Sequence, residues 1–390
     1  MTTCLQEIMR SDSIFAVIKE NTLLLHPELK EGVEKISDSH GTFYYDETNN
    51  VRKLLLRQGK FNNSIDGDFV LGGIFVPSSS STNPDYIRTI ARVGTSVKEV
   101  KCRTLCSNPD FWECIESKKV GAFLKWIYES DWLVHYSAIN YIYFAIVDII
   151  DSINLSMIHP IYINSLKNEL YRVAKENFNS FYNILYSYNF PNIAKKHIPR
   201  FCDELISIIP QSSGRNIWSY YLVKDLMATK EQESLIFLDG NPEKTIIKEF
   251  AHFYINKIAL FDTSKHVFDE ELSVQDQLKQ IQQCENTTTH TNYVFKKSDK
   301  DLYIQVSDCW VGLMGKFSRY VNTTADANVS AIWANLKEEQ RNNFSMYAKI
   351  IKRSDDFSPC LSHSIKSNLQ KDFESDLLNI GCTYNSSSSK

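Results

Sequence analysis

The sequence has no excess of basic residues: 43 Lys and Arg stand against 47 Asp and Glu, for a formal net charge of -4. That excludes a cationic field over the whole molecule, so a nucleic-acid partner has to be met by a local basic groove. It has no paired-cysteine framework either. Nine cysteines scattered from Cys4 to Cys382 among 390 residues fit reduced thiols in a cytoplasmic protein rather than a small secreted disulfide scaffold. Long hydrophobic runs are missing. The most apolar stretch, Ala138 to Ile153, is short and broken by Asn140, Asp148 and Asp151, so no membrane span is expected. The first ten residues lack a basic region followed by an apolar run, so no secretory signal is expected, and there is no internal repeat. What is present, 43% hydrophobic and 23% charged residues, predicts a soluble globular chain. Its length suits one large domain with insertions or two to three smaller ones.

The chain is organised around Gly41 to Val76. Two β-favouring runs, Gly-Thr-Phe-Tyr-Tyr-Asp46-Glu47 and Asp68-Phe-Val-Leu-Gly-Gly-Ile-Phe-Val76, read as an antiparallel strand pair. Side chains alternate along a strand, so Asp46 shares a face with Tyr44, while Glu47 shares the other with Phe43 and Tyr45. A carboxylate ending a central strand suits a hard divalent cation; capping the next turn is the plainer role. The connection carries Arg52, Lys53, Arg57 and Lys60, a candidate basic lip beside Asp46.

Further along, Ser96 to Leu105 alternates and reads as a third strand with Glu99 and Lys101 on its polar face. Asn108 and Pro109 open a helix that continues to Ile127, and Trp132 to Ile139 reads as a fourth strand. Residues 140–230 change to long helical patterns with inward-facing Tyr, Phe and Ile. Glu233 to Asp239 returns to strand character and ends in an Asp at a Gly turn. A helix from Glu243 to Leu260, strands at His266 to Asp269 and Asn292 to Phe295, and a helix from Asp301 to Tyr320 follow. The predicted organisation is an N-terminal extension (1–40), a first part of an α/β core (41–139), a helical insertion (140–230), a second part of the core with the acidic helix (231–322), and a helical extension with a Ser-rich, disordered tail (323–390).

On the late helix Ile304, Asp308, Val311, Gly312 and Gly315 fall on one stripe. The glycines allow close approach to the sheet and carry Asp308 inward, where an ion needs a partner; Gln305 and Ser307 are the candidates among its neighbours. Asp46, Asp239 and Asp308 each follow an apolar run, and such ends can converge at one sheet edge. Carboxylates gathered there stay ionised only with cations. Two Mg2+ or Mn2+ ions about 3.5–4 Å apart activate a water and stabilise a leaving oxygen in phosphodiester hydrolysis. Glu99 is the fourth candidate ligand and Lys101 a candidate phosphate contact, with a surface ion pair as the alternative for these two. Cys102, Cys106 and Cys114 lack zinc-site spacing, Gly312 to Lys316 lacks phosphate-loop spacing, and His135 and His266 read as hydrogen-bonded core imidazoles.

Tyr44-Tyr-Asp46-Glu47-Thr-Asn49, Phe69-Val-Leu-Gly-Gly, Glu99-Val-Lys101 and Ile304-Gln-Val-Ser-Asp308 with Gly312 resemble, in order and spacing, the prokaryotic Asp-Glu-Ser motif family. That family is a domain of unknown function similar to the ribonuclease H-like nucleases. The resemblance spans Phe43 to Tyr320 and implies an α/β fold, with a ribonuclease H-like mixed sheet flanked by helices and a large helical insertion. It implies metal-ligand roles for Asp46, Asp308 and Asp239, and supporting roles for Glu47, Glu99 and Lys101. The implied activity is a metal-dependent nuclease using Mg2+ or Mn2+ on DNA or RNA, in mobile elements or defence against phage, with the insertion open to a protein partner. Thr48-Asn49 stands where the family has Ser-Gly, Asn50 to Gly67 replaces a shorter turn, and Ser307 replaces a frequent Ala. The alternatives are a catalytically silent interaction or nucleic-acid-binding protein, and a hydrolase of nucleotides or other phosphate esters.

Overall fold

Aromatic and polar side chains alternate over residues 42–48 and produce the central strand, β1 (Thr42–Thr48), in the computed structural model, which describes residues 13–210, 216–284 and 292–384. The Ser-rich tail lies outside these residues. The connection after β1 folds into its own hairpin, β2 (Leu54–Arg57) and β3 (Lys60–Phe61), before β4 (Phe69–Val76) returns antiparallel to β1 with Gly72 opposite Asp46. β5 (Leu133–Ile139) pairs antiparallel with β4. β6 (Thr245–Ile247) joins β2 in a three-stranded sheet of order β3-β2-β6. On the other side of β1, β7 (Lys265–Asp269) and then β8 (Tyr293–Lys296) add in parallel. β9 (Ser362–Ile365) closes the opposite edge, parallel to β5. The result is a six-stranded mixed sheet of order β8-β7-β1-β4-β5-β9.

Helices cover both faces, which is why β4 and β5 read as near-continuous apolar runs. One face packs Val70, Ile74 and Val134 against the Lys118–Glu129, Leu302–Thr324 and Glu338–Phe357 helices through Phe123, Trp310 and Tyr347. The other packs Phe43, Tyr45 and Phe69 against Phe15, Ile36, Phe253 and Tyr254. The N-terminal extension therefore contributes two helices, Ile14–Leu25 and Lys30–Asp38, to this second layer. The insertion has a core of its own, in which helices from Tyr141 to Thr229 gather Ile149, Leu166, Leu170, Phe181, Phe201 and Leu222. Among the described residues no helix is long and apolar enough to cross a membrane.

Three expected elements are replaced. Ser96 to Leu105 is not a strand: the Val100 and Cys102 amides bond to Gln305 and Asp308 side chains of the Leu302–Thr324 helix, and a short helix, Cys102–Leu105, follows. Glu233 to Asp239 forms a 3-10 turn, Ile236–Leu238, that buries Leu235 and Leu238 and exposes Ile236 and Phe237. The spacing of three is one turn of helix, and a run this short hides it. Glu243 to Leu260 divides into β6 and a helix, Ala251–Leu260. β9 was not expected, because Ser-His-Ser-Ile at a sheet edge has no apolar alternation to announce it.

Candidate functional site

Parallel pairing of β1 with β7 sets Tyr45 against Phe268. One residue further along each strand, Asp46 and Asp269 stand side by side. The Leu302–Thr324 helix, capped by Asp301 through the Tyr303 amide, crosses the same face. Tyr303 stacks on Tyr44 with ring centroids 4.5 Å apart, and Ser307 Oγ donates to the Tyr44 carbonyl at 3.0 Å. Further along the helix a side chain at Gly315 would meet Thr48 Cγ2 at 2.5 Å, so glycine permits the close approach. Asp308 lies between these two contacts and enters next to Asp46.

The partners of Asp308 come from the loop ahead of Cys102. Its Oδ1 accepts from the Cys102 amide at 2.6 Å, and its Oδ2 lies 3.5 Å from Lys101 Nζ. Lys101 Nζ is also 2.8 Å from Glu99 Oε1, which accepts from the Ser298 hydroxyl. The Ser298 amide donates to Asp269 Oδ1 at 3.1 Å. Gln305 ties the two loops together, accepting from the Val100 amide at 2.9 Å and donating to the Ser298 carbonyl at 2.8 Å. Gln305 and Ser307 thus build the frame and do not partner Asp308 as expected.

The electrostatics follow from burial. Asp46 is 7% exposed, and its pKa is pushed well above the ordinary carboxylate value by that burial, then by the Asp308, Glu47 and Asp269 charges. Burial also raises Asp308, although the Cys102 amide, Lys101 and a hydrogen bond with Asp46 favour its ionised form. Two carboxyls so placed share a proton and titrate as a pair. Asp269 is raised as well, by burial first. Burial works against the Lys101 ammonium, but the Glu99 hydrogen bond and the Asp308 and Asp46 charges outweigh it. On the opposite face, Glu47 is raised to about 7 by burial and then by Glu271 and Asp269. Arg52 Nη2 reaches Glu271 Oε2 at 3.5 Å, which brings the basic connection against this region.

Asp46, Asp308, Glu99 and Lys101 therefore meet, and Glu47 lies on the opposite face, as strand alternation requires. Asp239 does not join them. It is exposed at the end of the Ile236–Leu238 turn, whose neighbours pack into the insertion core. Asp269 takes the place expected for Asp239. Both residues end an apolar run, and the strand pairing that separates them is written in neither segment. Glu271 and Ser298 were missed because loop residues carry no periodic signal. Asn49 adopts a left-handed conformation with φ 56° and donates from Nδ2 to the Asp68 carbonyl at 2.8 Å. Asparagine tolerates that conformation better than most residues. His266 is a core imidazole, bonded to the Tyr45 hydroxyl at 2.8 Å and the Phe261 carbonyl at 3.0 Å, and His135 lies 3.1 Å from the Tyr44 carbonyl.

Among the described residues no group of three or more His, Cys, Asp or Glu side chains is disposed to hold a metal ion. Asp46 and Asp308 lie next to each other, and Lys101 takes the position of a counter-charge. The donor set itself, carboxylate oxygens held close together, is of the kind that takes Mg2+ or Mn2+ in preference to softer metals. A large cavity, about 510 Å3, lies elsewhere, between the Pro160–Glu176 and Asn368–Thr383 helices. Its Arg172 is already paired with Glu169 and Glu176, both at 2.6 Å. No protein-family model matches the chain, and no curated protein and no solved structure matches it.

Proposed function

We propose that the chain is a metal-dependent nuclease that hydrolyses phosphodiester bonds of DNA or RNA at Asp46, Asp269 and Asp308. The observation that carries this reading is that three acidic side chains, from β1, β7 and the Leu302–Thr324 helix, are brought together, Asp46 buried and Asp269 and Asp308 partly so, with the Lys101 ammonium beside Asp308. A central first strand with β4 and β5 antiparallel in turn on one side, β9 parallel to β5 beyond them, and two parallel strands on the other supports the ribonuclease H-like form of the sheet. Bound Mg2+ or Mn2+ would supply an activated water and stabilise the leaving oxygen. Asp46, Asp269 and Asp308 would hold the metal once their carboxylates are drawn together, since among the described residues no three are disposed to do so as they stand. Glu99 orients Lys101, whose ammonium serves the scissile phosphate, and Arg52 lies at the edge for the polynucleotide backbone. A cytoplasmic setting in mobile elements or anti-phage defence, with a protein partner on the insertion, belongs to the same proposal by analogy.

A second reading, a catalytically silent nucleic-acid-binding or interaction protein, is favoured by Lys101, which already neutralises Asp308 and Glu99. Cleavage of single- and double-stranded DNA and RNA with Mg2+ or Mn2+ separates the two. Asp46→Asn, Asp269→Asn and Asp308→Asn are expected to lose about 100-fold or more in rate, the scale of one catalytic group, while Asp239→Asn keeps the wild-type rate. Wild-type protein that binds nucleic acid but cleaves with neither metal establishes the silent reading. Cleavage that survives both Asp46→Asn and Asp308→Asn overturns the site.

A further inference from the structure

The Ile217–Thr229 helix is apolar on two opposite sides. Leu222, Leu226 and Thr229 are buried in the insertion. Opposite them, Ile217, Tyr220, Lys224 and Met227 form an exposed stripe at steps of three, four and three residues, with Ile217 at 60%, Tyr220 at 65% and Met227 at 54% exposure. A surface helix of a globular protein usually presents polar residues there. The spacing is instead that of a seam between two packed helices. The segment before the Pro160–Glu176 helix packs along the inward side of the same helix rather than on this stripe. Asn154 and Ser156 tie it along the same helix by amide bonds to Thr229 Oγ1 at 2.9 Å and Asp225 Oδ1 at 3.2 Å. It exposes Met157, Ile158 and Ile161. Exposed apolar side chains aligned in one stripe of a helix mark an interaction site.

The order of residues in the stripe suits a second copy of itself. It is symmetrical about Leu222: reversing the helix exchanges Ile217 with Met227 and Tyr220 with Lys224. Two copies laid antiparallel about a twofold axis at Leu222 set Ile217 on Met227 and the Lys224 ammonium over the Tyr220 ring, each pair twice, as an isologous interface requires. Among the described residues Lys224 has no ion pair or hydrogen bond that competes for its charge. A parallel pair sets Lys224 on Lys224 and is repelled. We propose that this face is a twofold dimer interface between two copies of the chain, with the Ile217–Thr229 helices antiparallel.

Sedimentation equilibrium on the full chain at micromolar concentration tests the register. Wild type is expected at twice 45.1 kDa. Tyr220→Lys sets a second ammonium against Lys224 and is expected to weaken the dimer about tenfold or more, with an unchanged circular dichroism spectrum because the residue is exposed. Lys224→Glu weakens it too. An equimolar mixture of the Tyr220→Lys and Lys224→Glu chains restores the dimer. One of its two cross-contacts becomes an ion pair between the substituted positions, and the other remains the wild-type contact of Lys224 with Tyr220. Monomeric wild type, a dimer indifferent to Tyr220→Lys, or failure of the mixture to recover association each overturns the proposal.

Discussion

Glu47 reports the state of the acidic site because burial and the charges of Glu271 and Asp269 hold its carboxyl at about 7. A folded-state pKa above the unfolded one means that the fold binds this proton more tightly. The associated stability is present in full below the ordinary carboxylate range and is lost as pH rises through about 7. Glu47→Gln removes the titration. Urea unfolding should find the variant close to wild type at pH 4 and more stable by about 1–3 kcal/mol at pH 8, a range that allows for partial solvent screening of a half-buried group. A pH-independent difference would mean that Glu47 stays ionised in the fold. At this scale Asp46 and Asp308 were legible, since alternation on a strand and a glycine-bearing stripe on a helix each fix a direction. Asp269 was not legible as a partner: only the parallel pairing of β7 with β1 distinguishes it from Asp239.

The Leu302–Thr324 helix is the element on which the site depends, and its approach is set where it has no side chain. At Gly312 a Cβ would come 2.5 Å from the Cys102 Cβ, an atom that cannot rotate aside, so the Cys102–Leu105 helix would have to shift. Alanine gains about 1 kcal/mol in helix propensity over glycine, and overpacking costs about 1–3 kcal/mol. The clash should win, and Gly312→Ala is expected to lower stability. It should also move the Cys102 amide that holds Asp308, so the proposed nuclease activity should fall further than the stability change accounts for. A more stable, fully active variant would show that the approach is not tight. Elements with long periodic runs, β1, β4, β5 and this helix, were readable. Ser96 to Leu105 was misread because its alternation answers to side chains of the crossing helix, with no neighbouring strand to pair with.

Across the whole molecule, the segment beyond residue 322 is integral to the fold rather than appended to it. β9 completes the sheet, and Lys366, which follows it, is buried with its Nζ 3.3 Å from Asp68 Oδ2 and 2.9 Å from Glu374 Oε2. Asp68 stands at the entry to β4 and is wholly buried. It also accepts from Asn322 Nδ2 at 2.5 Å, Asn140 Nδ2 at 3.2 Å and the Ser318 hydroxyl. One carboxylate therefore joins the first hairpin, the start of the insertion, the acidic helix and the C-terminal segment. Composition gave no sign of this, because the partners of Asp68 lie far from it in sequence and none belongs to a motif. Burying an ion pair contributes little over apolar packing, but leaving one ion alone costs about 3–5 kcal/mol. Lys366→Met should cost that much in urea unfolding, whereas Asp68→Asn combined with Lys366→Met should cost less than the single Lys366 change, since no bare carboxylate remains at position 68. Equal losses in single and double variants would show that the pair acts through packing rather than through its charges.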